Sequence, residues 1–308
     1  MTVNQHATTF AGRPVRKFKV SMDAPEDPAG TAWRLATNYE GGPDKFSRRF
    51  DALLAVPWAG DVRALVIGEW GESYDTTAPI DRLVAAAGTL TNLTALFVGD
   101  MTSEENEISW IKQDDVAPLL QAYPRLEILR VRGADGLELT PLRHAALQEL
   151  AFESGGLPAE MVQAVSECDL PALRHLELWL GTDDYGGDAT VEDLAVIMAG
   201  SRWPDLTYLG LRDAEIVDMI AAALSGAPVV SRLSTLDLSL GVLSDVGAAV
   251  LLAGQPLTHL RKLDLHHHFL SPEMMARLRE ELEPAGVELD LGDAQEGDID
   301  DRFITVSE

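Results

Sequence analysis

The chain has 308 residues, 46% of them hydrophobic, and a formal net charge of −26. Such a charge repels phosphate backbones and anionic membranes, so it argues against nucleic-acid and lipid binding; it favours basic partners, or reflects an acidic proteome or a high-salt habitat. One cysteine, Cys168, excludes an internal disulfide and fits a reducing, cytoplasmic compartment.

Met1 to Val20 has no continuous apolar stretch and carries Arg13, Arg16, Lys17 and Lys19 late, which is not the order of a signal peptide. No apolar run approaches the roughly 18 residues that span a bilayer. Residues 1–30 hold no periodicity beyond Phe10 and Val15-Phe18-Val20. Trp33 to Tyr39 reads as a first strand, residues 40–44 as a turn, and Asp44 to Val56 as a helix with Phe46, Phe50, Leu53 and Leu54 on one side. Residues 1–60 are therefore read as an N-terminal segment and cap.

From residue 61 a pattern repeats, with aliphatic or aromatic anchors spaced as Leu-x-x-Leu-x-Leu. Its copies are Val62-Leu65-Ile67, Leu93-Leu96-Val98, Leu126-Leu129-Val131, Leu147-Leu150-Phe152, Leu173-Leu176-Leu178, Leu206-Leu209-Leu211, Leu233-Leu236-Leu238 and Leu260-Leu263-Leu265. A truncated copy follows at Val287, Leu289 and Leu291. Alternation puts the anchors on one strand face and the residues between them on the other. Between copies lie helical stretches such as Val191-Leu194-Ile197-Met198 and Ile216-Ile220-Ala223-Leu224. Prolines at 124, 171 and 204 stop helices, and Asp114, Thr190, Ser244 and Ser271 are suited to cap their starts. Cys168 falls where a helix ends, which predicts a packed residue rather than a nucleophile. Asp293 to Asp301 is acidic and turn-rich, and Phe303-Ile304-Val306 reads as a closing strand, so residues 293–308 form a tail and cap.

The motif and its period of about 27 residues resemble the long, helix-containing leucine-rich repeats of the ribonuclease-inhibitor-like kind. The resemblance covers Val62 to Leu291 and implies an α/β solenoid, a horseshoe with parallel strands inside and helices outside. One departure stands out. The position usually held by Asn or Cys carries Trp70, Met101, Ala134, Gly155, Gly181, Ala214, Gly241 and His268, so no asparagine ladder supports the turns. The segments GESYDT, EISWI, FESGGLPAE, LELWLG, YGGDAT and LHHHFLS also resemble a bacterial leucine-rich-repeat family, which implies a role beside enzymes rather than a reaction.

No phosphate-cradling loop, paired-histidine helix or serine elbow is present. Three features remain. His266, with Asp264 beside it and Asp237 and Ser239 on the neighbouring strand, has donors for a divalent metal, or is simply a wet surface histidine. Acidic, aromatic loops follow strands on one rim: Glu69 to Asp75 with Trp70, Asp100 to Asp115 with Trp110, and Gly181 to Asp188 with Asp183, Asp184 and Tyr185. They read as a binding rim or as solvated insertions. Third, the non-anchor face presents Val66, Phe97, Gly68 and Gly99 first, then Arg130 and Arg132, then Glu153, Glu177, Trp179, Tyr208, Arg212, Asp237 and Asp264. Trp179, exposed amid charge, is the expected anchor for a partner; the competing reading is a set of cross-strand ion pairs. These features predict a monomeric, non-catalytic interaction scaffold without cofactor, which holds a protein in the concavity and acidic rim, a basic one being favoured by the charge. The alternatives are an inhibitor or sequestering protein of a basic enzyme, and a metal-dependent enzyme using Asp264 and His266.

Overall fold

The computed structural model of the chain describes residues 4–38, 42–298 and 301–307. Its contacts divide it into two compact units, one of residues 1–150 and 168–170, the other of residues 151–167 and 171–307.

In the first unit β1 (Thr9–Phe10) and β2 (Arg13–Lys17) form a hairpin, and β2 runs parallel to β3 (Ala32–Leu35). Then β4 (Ala64–Ile67), β5 (Ala95–Val98) and β6 (Ile128–Arg132) follow in sequence order, all parallel. The register aligns the second anchors, Leu65 with Leu96 and Leu96 with Leu129. Parallel neighbours require a crossover, and α1 (Gly42–Leu54), α2 (Ile80–Ala85) and α3 (Ala117–Ala122) supply it. Phe46, Phe50 and Leu53 of α1 are buried as expected, whereas Leu54 is half-buried. The first strand ends at Leu35, well before the Tyr39 expected; Tyr39 and the start of the turn lie outside the described residues.

The unit boundary falls within β7 (Glu149–Glu153). The second unit repeats the plan with β8 (His175–Gly181), β9 (Tyr208–Ala214), β10 (Thr235–Asp237), β11 (Lys262–Asp264) and β12 (Glu288–Asp290), again parallel and in order. Leu176, Leu209, Leu236, Leu263 and Leu289 share one register row. Its helices are α4 (Ala159–Glu167), α5 (Ala195–Ala199), α6 (Val217–Leu224), α7 (Asp245–Ala253) and α8 (Pro272–Leu282). Every anchor of the eight full repeats is buried, as is Cys168.

Ser244 and Ser271 cap α7 and α8 by accepting the amides of Val246 and Met274. The other two expected caps do not form. Thr190 donates to Asp193 and α5 begins only at Ala195, while Asp115, not Asp114, accepts the first amide of α3 from Ala117.

The missing asparagine ladder has substitutes. Asp213, Leu240, His267 and Asp293, each two residues past a third anchor, take left-handed backbone conformations (φ 50° to 70°) that let the chain turn. His268 is buried; its Nδ1 accepts the amide of Leu270 at 3.1 Å, which leaves the proton on Nε2 to reach the carbonyl of Leu291 at 3.3 Å. His144 does the same with the amide of Leu147 and the carbonyl of Tyr123. The C-terminal segment is not a closing strand. Residues 303–307 cross the turns of the second unit, where Thr305 donates to the carbonyl of Leu240 and Val306 to the Asp213 carboxyl.

Candidate functional site

Alternation separates anchors from non-anchors as expected, but the non-anchor face is not wet. In the first unit Val66 and Phe97 are fully buried because the N-terminal segment lies over them. Ala7 and Phe10 join their cluster, with the Phe10 and Phe97 rings 5.9 Å apart. Asp100 ties this segment down. One carboxylate oxygen accepts the amide of Ala7 at 3.0 Å and the other accepts Arg34 Nε at 2.7 Å. Gly68 makes room for that arginine: a Cβ there would lie 2.4 Å from the Arg34 guanidinium. Arg132 is likewise buried, its guanidinium 5.4 Å from the centre of the Phe97 ring.

In the second unit the expected exposed anchor is a correction. Trp179 is fully buried, under the Arg212 guanidinium 5.1 Å from its ring, and its indole N–H donates to Glu177 at 2.8 Å. Arg212 also reaches Glu177 at 2.9 Å, Ser239 at 2.9 Å and Asp237 at 3.4 Å. Asp237 further accepts the Tyr208 hydroxyl at 2.7 Å and the Ser239 hydroxyl at 2.6 Å. The His175 and Tyr208 rings stack 3.7 Å apart above this network. Glu153, Glu177, Arg212, Asp237 and Asp264 are all buried, and Tyr208 is half-buried. Burial pushes the Tyr208 hydroxyl far up, with Glu177 and Asp237 adding to it; for Arg212, burial acts to lower the pKa, but the same two carboxylates overcome it and raise it. Ion pairing across strands, the competing reading, therefore describes these side chains better than an open binding face.

Asp264, His266 and Asp290 bring one donor atom each within 4.8 Å of one another, a grouping able to hold a metal ion. Asp264 already has two partners, His266 Nδ1 at 2.6 Å and Lys262 Nζ at 2.8 Å. Burial pushes its carboxyl up, but these hydrogen bonds outweigh that and hold it well below the usual carboxylate range. A metal would have to compete with the lysine. His267, expected to be wet, is instead buried and reaches the C-terminal segment, while His268 is buried at the turn position expected for it.

The loops differ from one another. Trp70 is buried, its indole N–H donating to the carbonyl of Thr76 at 2.9 Å, so it offers no exposed ring. Glu69 beneath it accepts Gly71 N–H and the Ser73 hydroxyl, and burial raises its pKa despite them. Two other aromatics are exposed, Trp110 at 54% and Tyr74, which sequence reading had not singled out, at 47%. Their loops are stitched together: Lys112 N–H donates to the carbonyl of Ser73, Ala78 N–H to that of Lys112, and Asn106 Nδ2 to the Ser73 hydroxyl. Asp75, Glu104, Glu105 and Glu107 are exposed on the same two loops. In the second unit Asp183 and Asp184 are exposed and Tyr185 is half-buried, on a turn ending at Gly186 (φ 90°). Gly181 is held there against Gly155, where any Cβ would clash with the backbone. Asp188 of that loop accepts the first amide of α4, from Ala159.

No protein-family model matches the sequence, nor does any curated protein. A Bacteroides fragilis protein of known crystal structure is 30% identical over 89% of this chain and 76% of its own, with a TM-score of 0.80. An internalin from Listeria monocytogenes matches at 16% identity over 78% of this chain and 58% of its own, TM-score 0.40. The Listeria monocytogenes protein InlP matches at 15% identity over 85% and 61%, TM-score 0.37. Among the described residues, no helix is long and apolar enough to cross a membrane.

Proposed function

We propose, for a chain that belongs to the same family as the Bacteroides fragilis protein, a role as a non-catalytic scaffold that binds a basic protein through its acidic, aromatic rim. The chain is on this reading a leucine-rich-repeat horseshoe of the ribonuclease-inhibitor-like kind, a cytoplasmic bacterial monomer without cofactor. The observation that carries it is the pair Trp110 and Tyr74, exposed on two hydrogen-bonded loops that also expose Asp75, Glu104 and Glu107. An aromatic ring supplies desolvated contact area with few rotamers to freeze. Carboxylates around it steer and orient a cationic partner more than they add net affinity. Moving the binding surface from Trp179 to this rim follows from burial: a residue already enclosed by Arg212 and Glu177 has no area left for a partner.

The test is affinity capture from the native host with wild type and a Trp110→Ala/Tyr74→Ala variant, followed by binding kinetics on the recovered protein. Dissociation of the variant should be faster by about thirtyfold, or about 2 kcal/mol, and wild-type association should fall as salt rises. A partner that leaves the double variant at the wild-type rate would remove this rim from the binding surface.

A further inference from the structure

Residues 303–307 cross three successive turns of the second unit and carry no ionisable side chain of their own. After β11, His267 Nε2 reaches the carbonyl of Phe303 at 3.1 Å, and the two rings meet edge-on with centroids 5.6 Å apart. After β10, the carbonyl of Leu240 accepts the amide of Thr305 at 2.8 Å. After β9, Asp213 Oδ1 accepts the amide of Val306 at 3.1 Å. Ile304 and Val306 are buried. A short segment held by two apolar side chains and a few hydrogen bonds, outside any strand or helix, is the kind that opens locally while the rest stays folded.

Asp213 is the unusual member of this set. It is fully buried at a left-handed turn position (φ 50°), and its Oδ2 has no hydrogen-bond partner among the described residues. Enclosing a carboxylate with one oxygen unpaired is costly, and enclosing the neutral acid much less so. Its neighbours do little to offset this. Ser239, whose carbonyl accepts the Asp213 amide, does not ionise, nor do Thr305 and Val306. Arg212 favours the carboxylate by its charge, but its guanidinium is directed to Glu177, Ser239 and Asp237. Burial therefore prevails over the Val306 amide and Arg212, and raises the Asp213 carboxyl well above the ordinary carboxylate value. His267, Asp293, Asp301 and Arg302 lie at the Phe303 end of the segment.

We propose that residues 303–307 form a latch worked by one proton, closed over a neutral Asp213 and loosened when Asp213 ionises. Closing withdraws the carboxyl from water, and opening returns it. Because the closed-state value is the raised one, closure is strongest below the free carboxyl value near 4 and is lost as pH rises towards the closed-state value. Between the two, the ratio of closed to open falls about tenfold per pH unit, one proton being released on opening. Opening would bare Asp213, the Leu240 carbonyl, His267 and the seats of Ile304 and Val306. The latch does not involve Trp110 or Tyr74, so its failure would leave the rim untouched.

The experiment follows hydrogen exchange of the Thr305 amide by NMR in the full chain, from pH 4.5 to 7.5, each rate taken relative to that of an unstructured amide. Protection of Thr305 in the wild type should fall by about tenfold or more over this range. That of Leu238, whose amide is bonded to the Asp264 carbonyl, should hold. Asp213→Asn keeps the acceptor for Val306, suits the left-handed backbone and cannot ionise, so Thr305 should stay protected throughout. Flat protection in the wild type, or the same fall in Asp213→Asn, would overturn the proposal. A second arm leaves Asp213 in place. Val306→Pro has no amide to donate and should release the segment, so the Asp213 carboxyl-carbon shift should titrate near 4 in that variant and well above it in the wild type. Equal midpoints in the two proteins would also overturn it.

Discussion

Replacing Arg212 by methionine should be among the most damaging single changes in the second unit. The guanidinium lies 2.9 Å from Glu177 and 3.4 Å from Asp237, and all three side chains are at least nine-tenths buried. At an effective dielectric near 20, each attraction is worth about 5 kcal/mol gross, against several kcal/mol for desolvating the arginine. The pair therefore contributes little net stability compared with an apolar replacement of the whole network. Truncating one partner is different, because two carboxylates remain buried without their cation, and Trp179 loses the group stacked on it. The expected cost is about 3–5 kcal/mol, or a fall in Tm of about 6–20 °C if the unit behaves like domains of comparable size. Urea denaturation and thermal melts of purified variants measure it. Glu177→Gln combined with Arg212→Met should cost less than the sum of the single changes, since the neutral amide no longer needs the cation. If Arg212→Met melts within about 1 kcal/mol of wild type, the non-anchor face is hydrated and the account of Trp179 given above is wrong.

Two further outcomes test other parts of the molecule. Phe10→Ala should free the N-terminal segment: the Ala7 amide, now bonded to Asp100, should exchange with solvent about 30- to 100-fold faster, as removal of about 2–3 kcal/mol of local packing implies. Unchanged exchange would mean that Phe10 does not hold the segment. Asp264 has its folded-state pKa depressed, so its contribution is complete above the unfolded carboxyl pKa near 4 and is lost as pH falls through the folded value. The stability gap between wild type and Asp264→Asn, measured by urea at pH 7 to 3, should hold down to about pH 4 and then shrink; a gap that widens on acidification would contradict the assigned direction.

The strand register was legible because burial of one face fixes it. Leu236 pairs between Leu209 and Leu263 and has no exposure, as the repeat demands. Its neighbour Asp237 shows where legibility ended. Alternation says only that Asp237 points away from the leucines. Whether that side meets water depends on Tyr208 and Arg212, one strand away and about 27 residues earlier, reaching across to enclose it. The same holds for Val66 and Phe97, whose cover comes from Ala7 and Phe10, in a segment with no periodic signal. His268 could be placed at the ladder position from the repeat, but not its use of both ring nitrogens on backbone groups. Tyr74 gave a weaker signal than Trp70 in the same loop, and only the folded loop shows which ring turns inward.

Closure of the non-anchor face changes what the net charge can do. Among the described residues, seven carboxylate side chains are buried but only four arginines and no lysine, so nearly all of the −26 remains on the surface. The buried carboxylates are occupied locally, Asp100 by Arg34, Glu177 by Arg212, Asp264 by Lys262 and His266. They cannot also attract a partner. The field felt by an approaching protein is thus set by exposed loops and helices, and it extends about 10 Å at 0.1 M salt. Any specificity must then come from the few places where that field coincides with uncovered apolar area. Trp110 with Tyr74, among Asp75, Glu104 and Glu107, meets both conditions. A basic protein attracted by the general acidity would be held by such places or released, so association should depend on salt almost regardless of which site is mutated, and dissociation should depend on the site and hardly on salt.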